Sequence, residues 1–130
     1  MVDVIRLSLH IVAACVWVGG QLTLAGLLPA LRALGGEAPK QVARQFRRVA
    51  WPAYALLVVT GLWNAVVWSG ESAHTGQSGL LGLKGALVLL SGVAAYAHEK
   101  AGDRTALAVW GALAGLASLA TLVVGVVLRG

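Results

Sequence analysis

The amino-acid sequence predicts an all-α fold: a four-helix transmembrane bundle with antiparallel neighbours and a short interfacial amphipathic helix between spans one and two. The chain is 58% hydrophobic and 12% charged, with a mean hydropathy of +0.81. Soluble domains average roughly 45–50% apolar and about 25% charged residues. Four apolar segments each approach the ~20 residues that a helix needs to cross a bilayer. None alternates with the period of two that is typical of a membrane β-strand.

The apolar segments place the spans at about residues 4–28, 50–68, 80–97 and 106–128. A chain of 130 residues leaves no room for a second domain, so we expect one integral-membrane domain over residues 1–130. The short connections after spans two and three make consecutive helices antiparallel neighbours. The first run has no positively charged start and outlasts the apolar core of a signal peptide, so we expect it to remain as a span.

The lysines and arginines predict the orientation of the chain in the membrane. Residues 29–49 carry five of the ten and residues 98–105 carry two, whereas residues 69–79 carry none. The positive-inside rule then places the two basic connections in the cytoplasm and both termini outside. This indicates an inner (plasma) membrane protein, and we interpret the net charge of +5 as orientation rather than nucleic-acid binding.

The first basic connection contains an amphipathic segment. Residues 40–49 place three apolar side chains at helical spacing among arginines: Val42, Phe46 and Val49. Ala38 and Pro39 are typical of a helix start, because proline is tolerated in the first turn. We expect this helix to anchor on anionic lipid and to run into the second span at Trp51 and Pro52.

Each predicted span carries a polar group in its outer half. With a rise of ~1.5 Å per residue, His10 lies roughly 9 Å and Lys84 roughly 6 Å below the outer surface. Asn64 lies at a depth similar to that of Lys84 on span two, Thr60 lies one turn deeper on the same face, and Thr121 lies about seven residues from the outer end of span four. Because polar groups in hydrocarbon are costly, their convergence predicts an outward-facing polar cavity.

Two further residues extend this predicted cavity outward. Arg6 lies one turn above His10 on the same helix face, and His74 lies in the loop above the bundle. Lys84 can alternatively extend to the interface, and Asn64 and Thr60 can serve as hydrogen-bond partners between helices. His10 is too short to reach the interface, so it is the strongest candidate ligand.

Two patterns concern contacts between helices. Lys84, Ser91 and His98 are seven residues apart and share one face of span three. Gly111 and Gly115 form a GxxxG pair, which serves either close packing within the chain or a homodimer.

Three stretches resemble the copper-resistance D (CopD) domain: LHIVAACVWVGG at 9–20, ARQFRRVAWPAYALLVVTGLWNAV at 43–66 and LLGLKGALVLLSGVAA at 80–95. The shared outline is a histidine and a Trp-x-Gly-Gly turn in span one and a lysine early in span three. The resemblance implies a membrane protein for copper uptake or resistance. The chain also looks like the HemJ-type protoporphyrinogen oxidases, with His10 and Lys84 at matching positions, which implies bound haem.

The sequence favours copper handling (uptake or resistance) by a metal centre in the outward-facing cavity, and it leaves two alternatives. A copper site would use His10 and His74, with Met1 and Cys15 as the soft donors of the chain. A haem b site would use His10 as axial ligand, His74 or Lys84 as a second ligand, and Arg6 or Lys84 as a propionate partner. A ligand-free structural or assembly subunit is the second alternative. No nucleophile elbow, phosphate loop or zinc spacing occurs, so any enzymatic activity is expected to be that of a haem-dependent membrane oxidoreductase.

Overall fold

The computed structural model describes residues 1–71 and 77–129, apart from the side chains of residues 69–71. These residues form five α-helices and one π-helical turn, with no strand among them: α1 Val2–Ala14, the π-turn Cys15–Gly19, α2 Gly20–Leu34, α3 Ala38–Glu71, α4 Gln77–Lys100 and α5 Arg104–Val127. The predicted all-α class is confirmed.

Four helical stretches are long and apolar enough to cross a membrane: Val2–Leu34, Ala38–Trp68, Gln77–Lys100 and Arg104–Val127. Only 17–22% of the most apolar part of each is buried within the chain. The exposed remainder is largely aliphatic and suits a lipid environment. The four predicted spans are therefore confirmed as helices of membrane-crossing length; each begins before its predicted start, and the last ends one residue before its predicted end.

The chain divides into two compact units, Met1–Asn64 and Ala65–Gly130. The first unit is an antiparallel pair in which α1, the π-turn and α2 run against α3. Its contacts step forward along one helix and backward along the other: Arg6 with Trp63, His10 with Thr60, Trp17 with Tyr54, and Gly20 with Phe46. The chain reverses at Gly35 and Gly36, whose positive φ angles of 73° and 56° favour glycine.

The amphipathic segment at residues 40–49 is helical, but it forms the first part of α3 rather than a separate element. α3 begins at Ala38 with Pro39 in its first turn, as predicted, and continues through Pro52. Trp51 and Tyr54 flank this proline and both pack on Trp17, with ring centroids 5.5 and 4.5 Å away. This packing supports α3 where the proline removes a backbone hydrogen bond.

The π-turn orients Trp17 toward α3. A π-turn holds one more residue than an α-helical turn and changes which side chains face a neighbour. Trp17 is only 3% exposed and completes a cluster with Trp51 and Tyr54. Just beyond the turn, the Phe46 ring lies directly against Gly20, where a Cβ would stand 2.8 Å from Phe46 Cζ.

The second unit contains the antiparallel pair α4 and α5. The predicted shared face of Lys84, Ser91 and His98 is the face that α4 turns toward α5. Lys84 lies against Gly125 and His98 against Gly111, so the same register places Ser91 opposite Ser118. Both serines are buried at 2% exposure.

The connection from α4 to α5 is held by polar contacts at both helix ends. His98 Nδ1 donates to the Leu107 carbonyl over 2.7 Å. Asp103 caps α5 by accepting a 2.8 Å hydrogen bond from the Ala106 amide. Gly111 of the GxxxG pair therefore serves a contact within the chain, while the homodimer stays a prediction.

Candidate functional site

The first unit brings His10 against α3 at Thr60. His10 Nδ1 lies 2.8 Å from Thr60 Oγ1, and Thr60 Oγ1 donates to the Leu56 carbonyl over 2.6 Å. Thr60 is only 3% exposed, and His10 is half-buried. Thr60 is thus confirmed as a hydrogen-bond partner between helices, and the residue it holds is the predicted ligand.

The two hydrogen bonds determine which nitrogen of His10 carries the proton. A carbonyl oxygen only accepts hydrogen bonds, so the Thr60 hydroxyl donates its one proton to the Leu56 carbonyl. Thr60 Oγ1 must then accept from His10, which places the proton on Nδ1. In the neutral imidazole, Nε2 carries the lone pair that can coordinate a metal. Metal-binding histidines are commonly oriented by this kind of second hydrogen bond.

Gly61 allows the imidazole to lie close to the α3 backbone. A Cβ at position 61 would stand 3.3 Å from His10 Cε1, tighter than most contacts of this kind. The Thr-Gly pair in α3 therefore has two separate tasks: Thr60 orients the ring and Gly61 leaves it room.

Arg6 lies one helical turn from His10 and is 7% exposed. One terminal nitrogen pairs with Asp3 Oδ1 at 3.0 Å, and the guanidinium carbon lies 5.9 Å from the ring centroid of Trp63. Arg6 Nε is buried without a hydrogen-bond partner. Since a buried donor without a partner costs free energy, this atom marks unmet hydrogen-bonding capacity beside His10.

Asn64, the third predicted residue of this unit, lies one turn beyond Thr60 on α3. Its Oδ1 is also buried without a hydrogen-bond partner. Arg6 lies one turn before His10 on α1, Asn64 lies one turn after Thr60 on α3, and each has a buried polar atom without a hydrogen-bond partner. The first unit therefore brings Arg6, His10 and Asn64 to the same end of one helix pair.

The other predicted residues belong to the second unit or fall outside the described residues. Lys84 belongs to the second unit, where its half-buried side chain crosses α5 at Gly125, with Nζ 3.2 Å from where a Cβ would stand. His74 lies outside the described residues. Thr121 donates to the Ala117 carbonyl of its own helix over 2.8 Å.

Within residues 1–71 and 77–129, no group of three or more His, Cys, Asp or Glu side chains is placed to hold a metal ion. Cys15 is exposed. It lines an open groove of about 530 Å³ together with residues of α2 and α3: Val16, Gly19, Gly20, Thr23, Gln45, Phe46 and Val49. Neither His10 nor Arg6 lines this groove. The groove is therefore separate from the polar site around His10.

Sequence reasoning missed several contacts of the site. Asp3 and Trp63 hold Arg6, and Gly61 makes room for His10. The Asp3-x-x-Arg6 spacing is a signal for an ion pair within one helix. The contacts with Trp63 and Gly61 depend on the register between two helices, which no local pattern in the sequence specifies.

No protein-family model, no curated protein and no solved structure matches the chain. The class is therefore defined by the fold and the site alone. The chain is an all-α protein with four helices of membrane-crossing length. It carries an oriented histidine and a buried arginine inside one helix pair.

Proposed function

We propose that the chain is a membrane protein that binds haem b through Nε2 of His10. The observation that supports this most is the chain of hydrogen bonds from His10 through Thr60 to Leu56, which leaves the lone pair of the neutral ring on Nε2. Bound haem would supply one-electron redox chemistry. The residues of the chain would hold and orient it: His10 as axial ligand, Thr60 as the group that orients His10, and Arg6 at one edge.

The donor set favours haem over an isolated copper ion. One protein ligand suffices for haem iron, as in globins and peroxidases. Copper(I) favours several soft donors, whereas His10 has no cysteine or methionine within one helical turn. Cys15 is five residues further along, about 7.5 Å along the axis, and lines the separate groove. Copper handling, which the CopD resemblance implies, is the alternative that the test below distinguishes.

The proposal includes the orientation of the protein in the membrane. The arginine-rich first part of α3 and the connection after α4 would lie in the cytoplasm of a cell with this protein in its plasma membrane. His10 would then lie in the outer half of the bilayer. Lys84 belongs to the second unit, and its predicted role as a second ligand or charge partner stays a prediction.

The test is an absorption spectrum of the detergent-purified protein, with metal analysis of the same sample. We expect a Soret band and one iron per chain. His10→Ala should abolish the Soret band and the bound iron, because no other imidazole within the described residues can replace that of His10. Lys84→Ala should lower haem content less.

His98→Ala is the matched histidine control, since His98 bonds a backbone carbonyl in the other unit. It should keep full haem content. Loss of the His10–Thr60 hydrogen bond costs about 0.6 kcal/mol on average in membrane bundles, so His10→Ala should stay folded. A colourless wild-type protein that contains copper would select copper handling instead. A folded His10→Ala protein with full haem content would refute the assignment of His10.

A further inference from the structure

The buried edge of Arg6 has unmet hydrogen-bonding capacity. Its guanidinium has five N–H donors. One terminal nitrogen faces Asp3, which is itself 73% exposed at the outer end of α1, and the Trp63 ring lies 5.9 Å from the guanidinium carbon. The Nε edge points away from solvent and has no acceptor. Asp3 therefore contacts Nη2, while Nε, whose N–H is parallel to one N–H of Nη2, is left without a partner.

A carboxylate fits this edge better than a neutral group does. The planar guanidinium presents parallel N–H donors that match the two oxygens of a carboxylate. Hydrogen bonds between charged groups are stronger than neutral ones, and stronger still away from water. Arg6 also lies on the same face of α1 as His10, about 6 Å along the axis. A ligand that reaches both residues needs a metal at one point and an anionic group toward the outer end.

We infer that Arg6 is a carboxylate-binding residue, and that it holds a free propionate of a porphyrin whose iron is bound by His10. This inference rests on the proposed function and deepens it by naming the ligand class: a metalloporphyrin with an unesterified carboxylate. The propionate would lie against Arg6, toward the N-terminal end of α1. Esterified porphyrins are bound less well.

The test compares two forms of the same iron porphyrin, mesohaem and its dimethyl ester, each titrated into detergent-purified, haem-depleted protein. The esters keep the ring and the iron but remove both negative charges. The wild-type protein should bind the free acid about tenfold or more tightly than the ester, because a hydrogen bond to a charged group contributes about 1.5–3 kcal/mol.

Arg6→Gln should remove this preference, so that both forms bind with the affinity of the ester. Arg6→Lys keeps the charge without the planar edge and should restore only part of it. Arg104→Gln, at an exposed arginine of the second unit, is the matched control and should keep the full preference.

Asp3→Asn separates a ligand role of Arg6 from a structural one. If Arg6 binds the carboxylate, removing its competing partner leaves binding of the free acid as tight or tighter.

Four results would overturn the inference. A wild-type protein that binds both forms equally does not recognise the carboxylate, although a Soret band in that protein would still support His10 as ligand. Equal losses for both forms in Arg6→Gln would assign Arg6 a purely structural role. A loss in Asp3→Asn as large as that in Arg6→Gln would do the same. If the wild-type protein binds neither form, the proposed haem function fails, and the inference fails with it.

Discussion

Replacing Thr60 by valine tests the orientation of His10 without touching a ligand atom. Valine has nearly the same shape as threonine but cannot accept the hydrogen bond from His10 Nδ1, which is 2.8 Å long in the native protein. The buried Nδ1 donor would then lack the partner that determines the tautomer. The imidazole could adopt the other tautomer, with Nε2 protonated and unable to coordinate.

The expected losses of haem affinity and of stability in Thr60→Val follow from two known effects. Loss of an outer hydrogen-bond partner of a metal ligand costs about 10–100-fold in metal affinity. Loss of a side-chain hydrogen bond between membrane helices costs about 0.6 kcal/mol of stability on average and at most ~1.7 kcal/mol. We therefore expect haem affinity to fall at least tenfold, while the thermal unfolding midpoint changes little.

The assay is a Soret titration of haem-depleted Thr60→Val protein, with Thr121→Val as the matched control. Thr121 also donates to the carbonyl four residues before it, over 2.8 Å. Its hydrogen bond stays within α5 and does not involve His10, so its loss should leave haem affinity near the wild-type value. Thr60→Ser, which keeps the hydroxyl, should restore most of the affinity. Haem binding by Thr60→Val at wild-type strength would refute the tautomer argument, and so would an equal loss in Thr121→Val.

Two other predictions concern the fold and its orientation. Gly20→Ala should destabilise the first unit by about 1–3 kcal/mol through overpacking, because the new Cβ would stand 2.8 Å from Phe46 Cζ. Adding Phe46→Leu should relieve this destabilisation, as measured by thermal unfolding of the double variant in detergent. An unchanged unfolding midpoint would mean that the Phe46 ring does not cause the overpacking. Reporter fusions at Gly36 and Gly76 should report cytoplasmic and external locations. A cytoplasmic reporter at Gly76 would invert the topology.

Much of the architecture could be predicted because it depends on composition and length. Four apolar runs near the length of a bilayer-spanning helix leave few other folds. The start of α3 at Ala38 and the shared face of Lys84, Ser91 and His98 also follow from local patterns. The run of the amphipathic segment into the second span was also predicted, but the packing of Trp17 that supports α3 at Pro52 was not, because Trp17 is distant in sequence.

The candidate site could be predicted only in part, for a related reason. Helix rise places His10 and Thr60 at similar depth, but depth alone does not say which side chains meet. That depends on the rotation of each helix, and the π-turn at Cys15–Gly19 changes the rotation within the first span. The ion pair of Asp3 with Arg6 lies within one helix, so the spacing of the two residues in the sequence could have predicted it. The buried Nε of Arg6 could be found only from the structure.

The length of the first helix pair has a consequence for hydrophobic mismatch. Val2–Leu34 and Ala38–Trp68 contain 33 and 31 residues, about 50 and 46 Å of helix. A hydrocarbon layer is about 30 Å thick, and membrane helices tilt by at most ~40°. Even at that tilt the two helices cover about 38 and 36 Å along the membrane normal, so tilt cannot absorb the excess.

The excess must leave the hydrocarbon. If one boundary of the layer lies at Trp68, the layer is crossed in about 20–26 residues, which brings its other boundary to residues 42–48 of α3. Three arginines fall within this interval: Arg44, Arg47 and Arg48. A thinner bilayer would release more of this charged segment into water and a thicker one would draw it toward the acyl chains. The arginines thus limit how deeply the helix pair can enter the hydrocarbon. Membrane thickness therefore affects the depth of His10.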